Sequence, residues 1–221
     1  MSISASQVKE LREMSGVGMM ECKKALVETN GDLHKALDLL RANSSLKAEK
    51  KASRVAADGA VKVAETSSYV SLVEINSETV FAAKDAQFKD FTSSVADHLA
   101  SSQIDSIEVL NEAFDAKRQT LIQSIGENIQ LRRLSTLMIS DGGSIGSYIH
   151  SDGRLAALVS LNVDNQDLAK DIAMHVSATS PSCLTSDDMD PELLAREKAI
   201  YIAQAEESGK DAAIMETVSY T

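Results

Sequence analysis

Asp58-Gly59-Ala60-Val61-Lys62-Val63-Ala64 and Tyr69-Val70-Ser71-Leu72-Val73-Glu74-Ile75 decide how this chain must be built. Before Arg54 the apolar residues recur every three or four positions; from Asp58-Gly59 they alternate. Alternation puts successive side chains on opposite faces of an extended backbone. Val61 and Val63, then Val70, Leu72 and the run to Ile75, therefore read as two strands joined through Glu65 to Ser68. A helical start that gives way to paired strands predicts an α+β chain with antiparallel sheets.

Toward the N-terminus, Ser4 or Ser6 can cap a first helix carrying Val8, Leu11 and Met14 on one side. Ser15-Gly16-Val17-Gly18 breaks it, and a second helix runs over about 20–29 until Asn30-Gly31 ends it. Asp32 caps a third, whose Leu33, Ala36, Leu37 and Leu40 follow the i, i+3, i+4, i+7 pattern of one buried stripe. Three helices of this length make a small bundle resembling the ubiquitin-associated (UBA-like) fold. Ser44 to Arg54 sets Lys47, Lys50, Lys51 and Arg54 among small residues. It reads as a solvated connecting helix, with a basic contact stripe as the rival reading. Residues 1–55 form one three-helix domain with its linker.

Toward the C-terminus, a loop over 77–84 leads to a helix over 85–100 with Phe88, Phe91, Val95 and Leu99 on one face. Two further helices are expected at about 106–114 and 116–126, the second stopped by Gly126, and a strand over 128–139. The pattern then restarts. Strands over 144–150 and 154–163 flank Ser151-Asp152-Gly153, a hairpin signal because Asp-Gly suits positive φ. A helix over 165–178 is expected to face Leu168, Ile172, His175 and Val176 inward. This order suggests two related α+β subdomains, 56–141 and 142–182. Beyond Pro181, residues 183–221 read as a helix from Pro191 to Glu207, a turn at Ser208-Gly209-Lys210 and a last helical stretch, together a projecting hairpin.

The composition bounds the chemistry. A length of 221 residues supports a core without disulfides, and 43% hydrophobic with 25% charged residues is ordinary for a globular protein. A net charge of −11 argues against direct nucleic-acid binding, which needs clustered cations, and suits a protein partner with basic patches. Cys22 and Cys183 fit no zinc spacing, so a reducing, cytoplasmic setting is expected. Neither a signal peptide nor a membrane-spanning stretch is evident. Enzyme motifs are missing. Gly142-Gly143-Ser144-Ile145-Gly146 lacks the Gly-Lys-Ser/Thr of a phosphate loop and reads as a turn, so no direct nucleotide binding is expected. His34, His98, His150 and His175 are scattered outside any metal-binding pattern, and neither a metal nor a cofactor is expected.

What stands out is apolar side chains where a loop should be polar. In Thr79-Val80-Phe81-Ala82-Ala83-Lys84, Phe81 either plugs the space under its own loop or serves as an aromatic anchor for a partner. Met19-Met20, after the glycine turn, either fill a core gap or form an adaptable binding surface. His150 is expected to be exposed before its hairpin turn, and His175 to be a satisfied core histidine.

Several blocks carry a resemblance to one family. Leu11-Arg12 with Gly16-Val17-Gly18-Met19-Met20-Glu21-Cys22-Lys23-Lys24-Ala25-Leu26 is similar to the N-terminal signature of elongation factor Ts. Asn30-Gly31-Asp32 and Leu40-Arg41 continue it. Lys50-Lys51-Ala52, Arg54 and Ala56-Ala57-Asp58-Gly59 resemble that family's linker, and Glu74-Ile75-Asn76-Ser77-Glu78-Thr79-Val80-Phe81-Ala82-Ala83-Lys84 its second signature. Ile125-Gly126-Glu127-Asn128-Ile129, Gly146-Ser147-Tyr148-Ile149-His150 and Ile172-Ala173-Met174-His175-Val176 match further blocks.

The resemblance implies a non-enzymatic guanine-nucleotide exchange factor in translation. Its partner would be elongation factor Tu, which holds GDP with a magnesium ion. Arg12, Met19 and Met20 would dock on the partner's nucleotide domain, and the loop Thr79 to Lys84 would push Phe81 between two partner helices. The position matching His150 would touch the partner elsewhere. The hairpin after Pro181 resembles a coiled-coil arm used in dimerisation or further contacts, which leaves a homodimer open. The family loop usually reads Thr-Asp-Phe-Val, whereas Val80 stands here in place of the carboxylate. The chain also stops inside the arm's returning helix, so the arm is expected to be truncated and the second subdomain to lack a strand. The alternative is a protein-binding module using the three-helix bundle without exchange activity. An enzyme reading built on His150 and Asp152 has no other residue behind it.

Overall fold

The computed structural model describes residues 3–207. The turn and last helix expected after Glu207 lie outside the described residues. The chain divides into two compact units, Met1–Ala178 and Thr179–Thr221.

The first unit opens with α1 (Ala5–Ser15), α2 (Met19–Glu28) and α3 (Leu33–Lys51). Ser4 starts α1 with a capping box: its side chain accepts from Gln7 N–H, and the Gln7 side chain reaches back to Ser4 N–H. Gly16, at φ 68°, ends α1 in the left-handed region, where its N–H bonds Arg12 O. Asp32 caps α3 through the N–H of Lys35. Val8, Leu11, Val17, Cys22, Leu26, Ala36 and Leu40 close over one another as the bundle core. The expectation of a solvated connecting helix over 44–54 needs correction. Those residues simply continue α3 to Lys51, and Ser44 and Ala48 are buried. Ala48 joins the core of the next layer, so the helix is a structural strut between bundle and sheet.

That layer is a three-stranded antiparallel sheet in the order β1-β2-β3, from β1 (Asp58–Glu65), β2 (Tyr69–Ser77) and β3 (Gln130–Met138). Between β2 and β3 the chain forms α4 (Val80–Lys84), α5 (Ala86–Ser101) and α6 (Ile107–Ile125). Val73, Ile75, Phe88, Val95, Leu99, Leu110, Ile122 and Ile129 make the principal core between sheet and helices. Phe91 and Phe114 meet edge to face at 5.8 Å there, the arrangement their quadrupoles favour. Two expectations change. The helices expected at 106–114 and 116–126 are one, because Asp115 sits inside α6 bonded to Arg118 and Gln119 rather than breaking it. The stretch 80–84, expected as loop, is a short helix capped by Thr79.

The remaining elements are the antiparallel pair β4 (Ser144–Ile149) and β5 (Ala156–Leu161), followed by α7 (Gln166–Thr179). The hairpin tip meets β1 through Val61 N–H donating to Gly153 O at 2.8 Å and Arg154 pairing Asp58 at 3.2 Å. The expected inward face of α7 is also corrected. Ala169, Ala173 and Ser177 are the buried stripe; of the four residues expected inward, Ile172 and Val176 are half-buried at its flank while Leu168 and His175 are exposed. The reason is Gly146: a Cβ there would lie 2.1 Å from the Ala169 carbonyl carbon, so helix backbone rests on strand backbone. Only small side chains fit such an approach, which turns the larger ones outward.

In the second unit, α8 (Pro191–Glu207) begins at a proline in its first turn, as expected. Tyr201 and Ile202 are exposed on it.

Candidate functional site

Phe81 is the largest apolar side chain left open on the first unit, at 82% exposure. It is held there by its neighbours. Ala82, 4% exposed, anchors α4 in the interior, and Ala83 packs against the principal core. The Thr79 hydroxyl accepts the Ala82 N–H at 3.3 Å, and Lys84 closes the single turn of helix. Val80 is half-buried. A ring carried at the second position of so short a helix, with the next two residues turned inward, has nowhere to fold back. The reading of Phe81 as a plug beneath its own loop is therefore excluded.

The methionines behave in the same way. Met19 and Met20 are 47% and 77% exposed at the start of α2, so they fill no core gap. Gly18 caps that helix without a side chain, and Val17, buried beside it, accepts the Cys22 thiol proton at its carbonyl. Packing Val17 inward thus lifts the following pair to the surface. Arg12 is exposed on the last turn of α1, and its carbonyl accepts the Gly16 N–H at 2.8 Å.

Tertiary structure fastens the methionine turn to the helices beside α4. Ser124 Oγ at the end of α6 lies 2.6 Å from Gly16 O and 2.7 Å from the Gln87 side chain at the start of α5. A hydroxyl has one proton, so Ser124 donates to one of these two oxygens at a time. Glu21 of α2 pairs with Lys47 of α3 and accepts from Gln123 of α6 at 3.5 Å. Only Asp85 separates α4 from α5, so Arg12, Met19, Met20 and Phe81 belong to one braced framework. His150 stands apart at the tip of the β4–β5 hairpin. It is exposed as expected, with Nδ1 3.1 Å from Asp152 Oδ1. The Arg154 N–H first, and His150 second, hold the Asp152 carboxyl below its ordinary range. Both side chains are about half exposed, so the pair fastens a turn at the surface. Among the described residues no three His, Cys, Asp or Glu side chains converge as a metal site needs, and no helix is long and apolar enough to cross a membrane.

The sequence placed Glu78, Glu127 and Asn128 only within family-like blocks, assigned them no part in holding this surface, and offered nothing for Ser124. Asn128 is 1% exposed and donates to Arg54 O at 2.8 Å, a burial that no local pattern announces. The available signals are the resemblance block Ile125–Ile129 and position, since Glu127-Asn128 directly follows the helix-ending Gly126.

Comparison with known proteins identifies the family. Residues 78–219 match the sequence model of a family described as Elongation factor TS. The chain is 50% identical over 218 residues to elongation factor Ts of Hahella chejuensis, covering 97% of this chain and 75% of that protein. It is 50% identical over 220 residues to that of Teredinibacter turnerae and 48% over 219 to that of Saccharophagus degradans, each match covering 98% of this chain and 75% of the relative. A helical bundle braced against an α+β core, matched over nearly its whole length by these relatives, is a translation elongation factor. Within that class, the chain belongs to the elongation factor Ts family.

Proposed function

We propose that this chain binds elongation factor Tu carrying GDP and magnesium, weakens the hold on both, and so promotes GDP release and GTP loading. The observation that carries the reading is Phe81, 82% exposed on a capped helix whose following residues are anchored. An aromatic ring presented rigidly loses little freedom on binding and suits insertion between two helices of a partner. Met19 and Met20 would supply the adaptable contact on the partner's nucleotide domain, with Arg12 beside them. Thr79, Val80, Ala82, Ala83 and Lys84 would shape the loop, and His150 would touch the partner away from the nucleotide.

The energetics are those of linkage. A protein that binds nucleotide-free partner more tightly than GDP-bound partner must weaken GDP by the same factor. Disturbing the magnesium site exposes phosphate charge that the ion had neutralised, which adds to the driving force. No bond is made or broken by this chain, which redistributes populations of its partner. On this reading it works in the cytoplasm and needs no cofactor of its own. The test is release of a fluorescent GDP from elongation factor Tu by stopped flow. A saturating rise in release rate with added chain is expected; release no faster than the spontaneous rate would overturn the proposal.

A further inference from the structure

We infer that Glu78 and Glu127 are positioning residues for Phe81, cross-clasping the loop before α4 to the turn after α6 and so setting the ring's place on the surface. The inference rests on the proposed role of Phe81 in exchange.

The clasp is reciprocal. Glu127 Oε2 accepts the Thr79 N–H at 2.9 Å, and Oε1 accepts the Thr79 hydroxyl proton at 2.7 Å. In the other direction, Glu78 Oε1 accepts the Asn128 N–H at 2.6 Å. Each carboxylate therefore holds the amide of the residue that follows the other. The Thr79 hydroxyl spends its one proton on Glu127, which leaves its lone pairs for the Ala82 N–H. Glu127 thus orients the Thr79 side chain that caps α4 and anchors the Thr79 backbone as well.

A helix of five residues, Val80–Lys84, has no stability of its own, since nucleation costs more than so few bonds return. What surrounds it decides whether it forms. Hydrogen bonds to a carboxylate are about twice as strong as neutral ones, and this clasp has three of them. The linker after α3 enters the same network. Arg54 Nη1 lies 3.5 Å from Glu78 Oε1, and the Asn128 amide donates to Arg54 O. The segment Ile125–Ile129 takes no direct part in the proposed docking surface, yet it supports that surface from behind. Gly126 ends α6 at φ 89°, and the next two residues fasten α4.

The test is maximal, saturating release of fluorescent GDP from elongation factor Tu, using the whole chain with Glu127→Ala, Glu127→Gln, Phe81→Ala and the double variant. Glu127→Ala should lower the maximal rate about tenfold while the half-saturating concentration moves less than about threefold. Glu127→Gln, which keeps one acceptor, should recover part of the loss. In the Phe81→Ala background, Glu127→Ala should add less than about twofold, because it acts through the ring. Full activity of Glu127→Ala, or losses that multiply fully in the double variant, would overturn the inference. If Glu127→Ala fails to fold, Thr79→Val, which keeps the Thr79 N–H bond to Glu127 but loses both hydroxyl bonds, the one to Glu127 and the one from the Ala82 N–H, should show a smaller loss in the same direction; an undiminished rate overturns the inference. If the parent chain itself does not speed release, the exchange reading falls and the clasp is judged separately. The chain has no Trp, so Phe81→Trp carries a single tryptophan, excited selectively to the red of the tyrosines. Its anisotropy should drop on adding Glu127→Ala or Thr79→Val, and an unchanged value rejects the clasp.

Discussion

Phe81→Ala removes a ring that is 82% exposed, and the structure sets the size of both consequences. The fold should hardly notice, because surface substitutions away from caps and cores stay within about 0.5 kcal/mol. The partner should notice strongly. With roughly 200 Å² on a phenylalanine and most of it open, about 160 Å² is available, which at about 25 cal/mol per Å² would contribute ~4 kcal/mol on complete burial. Interfaces return less than that, so a loss of about 2–3 kcal/mol is expected, or roughly 30- to 150-fold in the exchange rate at limiting factor. Stopped-flow release of fluorescent GDP measures the loss, and a thermal melt followed by circular dichroism measures the fold. Two results would refute the reasoning: exchange within about twofold of the parent, or a melt lowered by many degrees, which would mean that the ring packs internally.

Three further perturbations follow from particular contacts. Val80→Asp places a carboxylate in the first turn of α4, where a helix N-terminus favours negative charge, so GDP release should be equal or faster; slower release counts against this. Gly146→Ala forces a Cβ into the backbone of α7 and should destabilise by roughly 1–3 kcal/mol in urea, the reverse of the usual gain from replacing glycine; a variant as stable as the parent would contradict the packing. Glu74→Gln should flatten the acid side of the stability profile. Partial burial by itself would raise the Glu74 carboxyl, but bonds from Arg133 and Asn76 and the charges of Arg133 and Arg132 hold it below the ordinary 4.5. A depressed value means that the stabilisation is complete above 4.5 and fades as pH falls through the folded-state value. The parent should therefore lose its advantage over Glu74→Gln only in that acid window, and a constant gap down to about pH 3 would refute it.

Much of this architecture is written locally. The change of period at Asp58-Gly59, the caps at Ser4 and Asp32, the glycine stop at Gly126 and the Asp152-Gly153 turn each act within a few residues, and all appear where expected. The local pattern misled where a neighbour in space outweighed it. His175 and Leu168 face outward because the α7 backbone at Ala169 rests on Gly146, which leaves small residues as the buried stripe. Residues 44–51 are buried in part because Ala48 finds the principal core. The segment 80–84 is helical because Thr79 is clasped by Glu127, 48 positions away.

The same division holds for the site. Residue identity alone singled out Phe81, Met19 and Met20 as apolar groups in places that ought to be polar, and alone carried the similarity to elongation factor Ts. Whether those side chains were core or surface was not written there, since a Phe or Met has the same chemistry in either place. Tertiary structure decided it by turning Val17 and Ala82 inward, which leaves Met20 and Phe81 in solvent. It also supplied what no stretch of sequence contains: Ser124 bridging Gly16 to Gln87, and two glutamates gripping each other's neighbours to hold one ring in position.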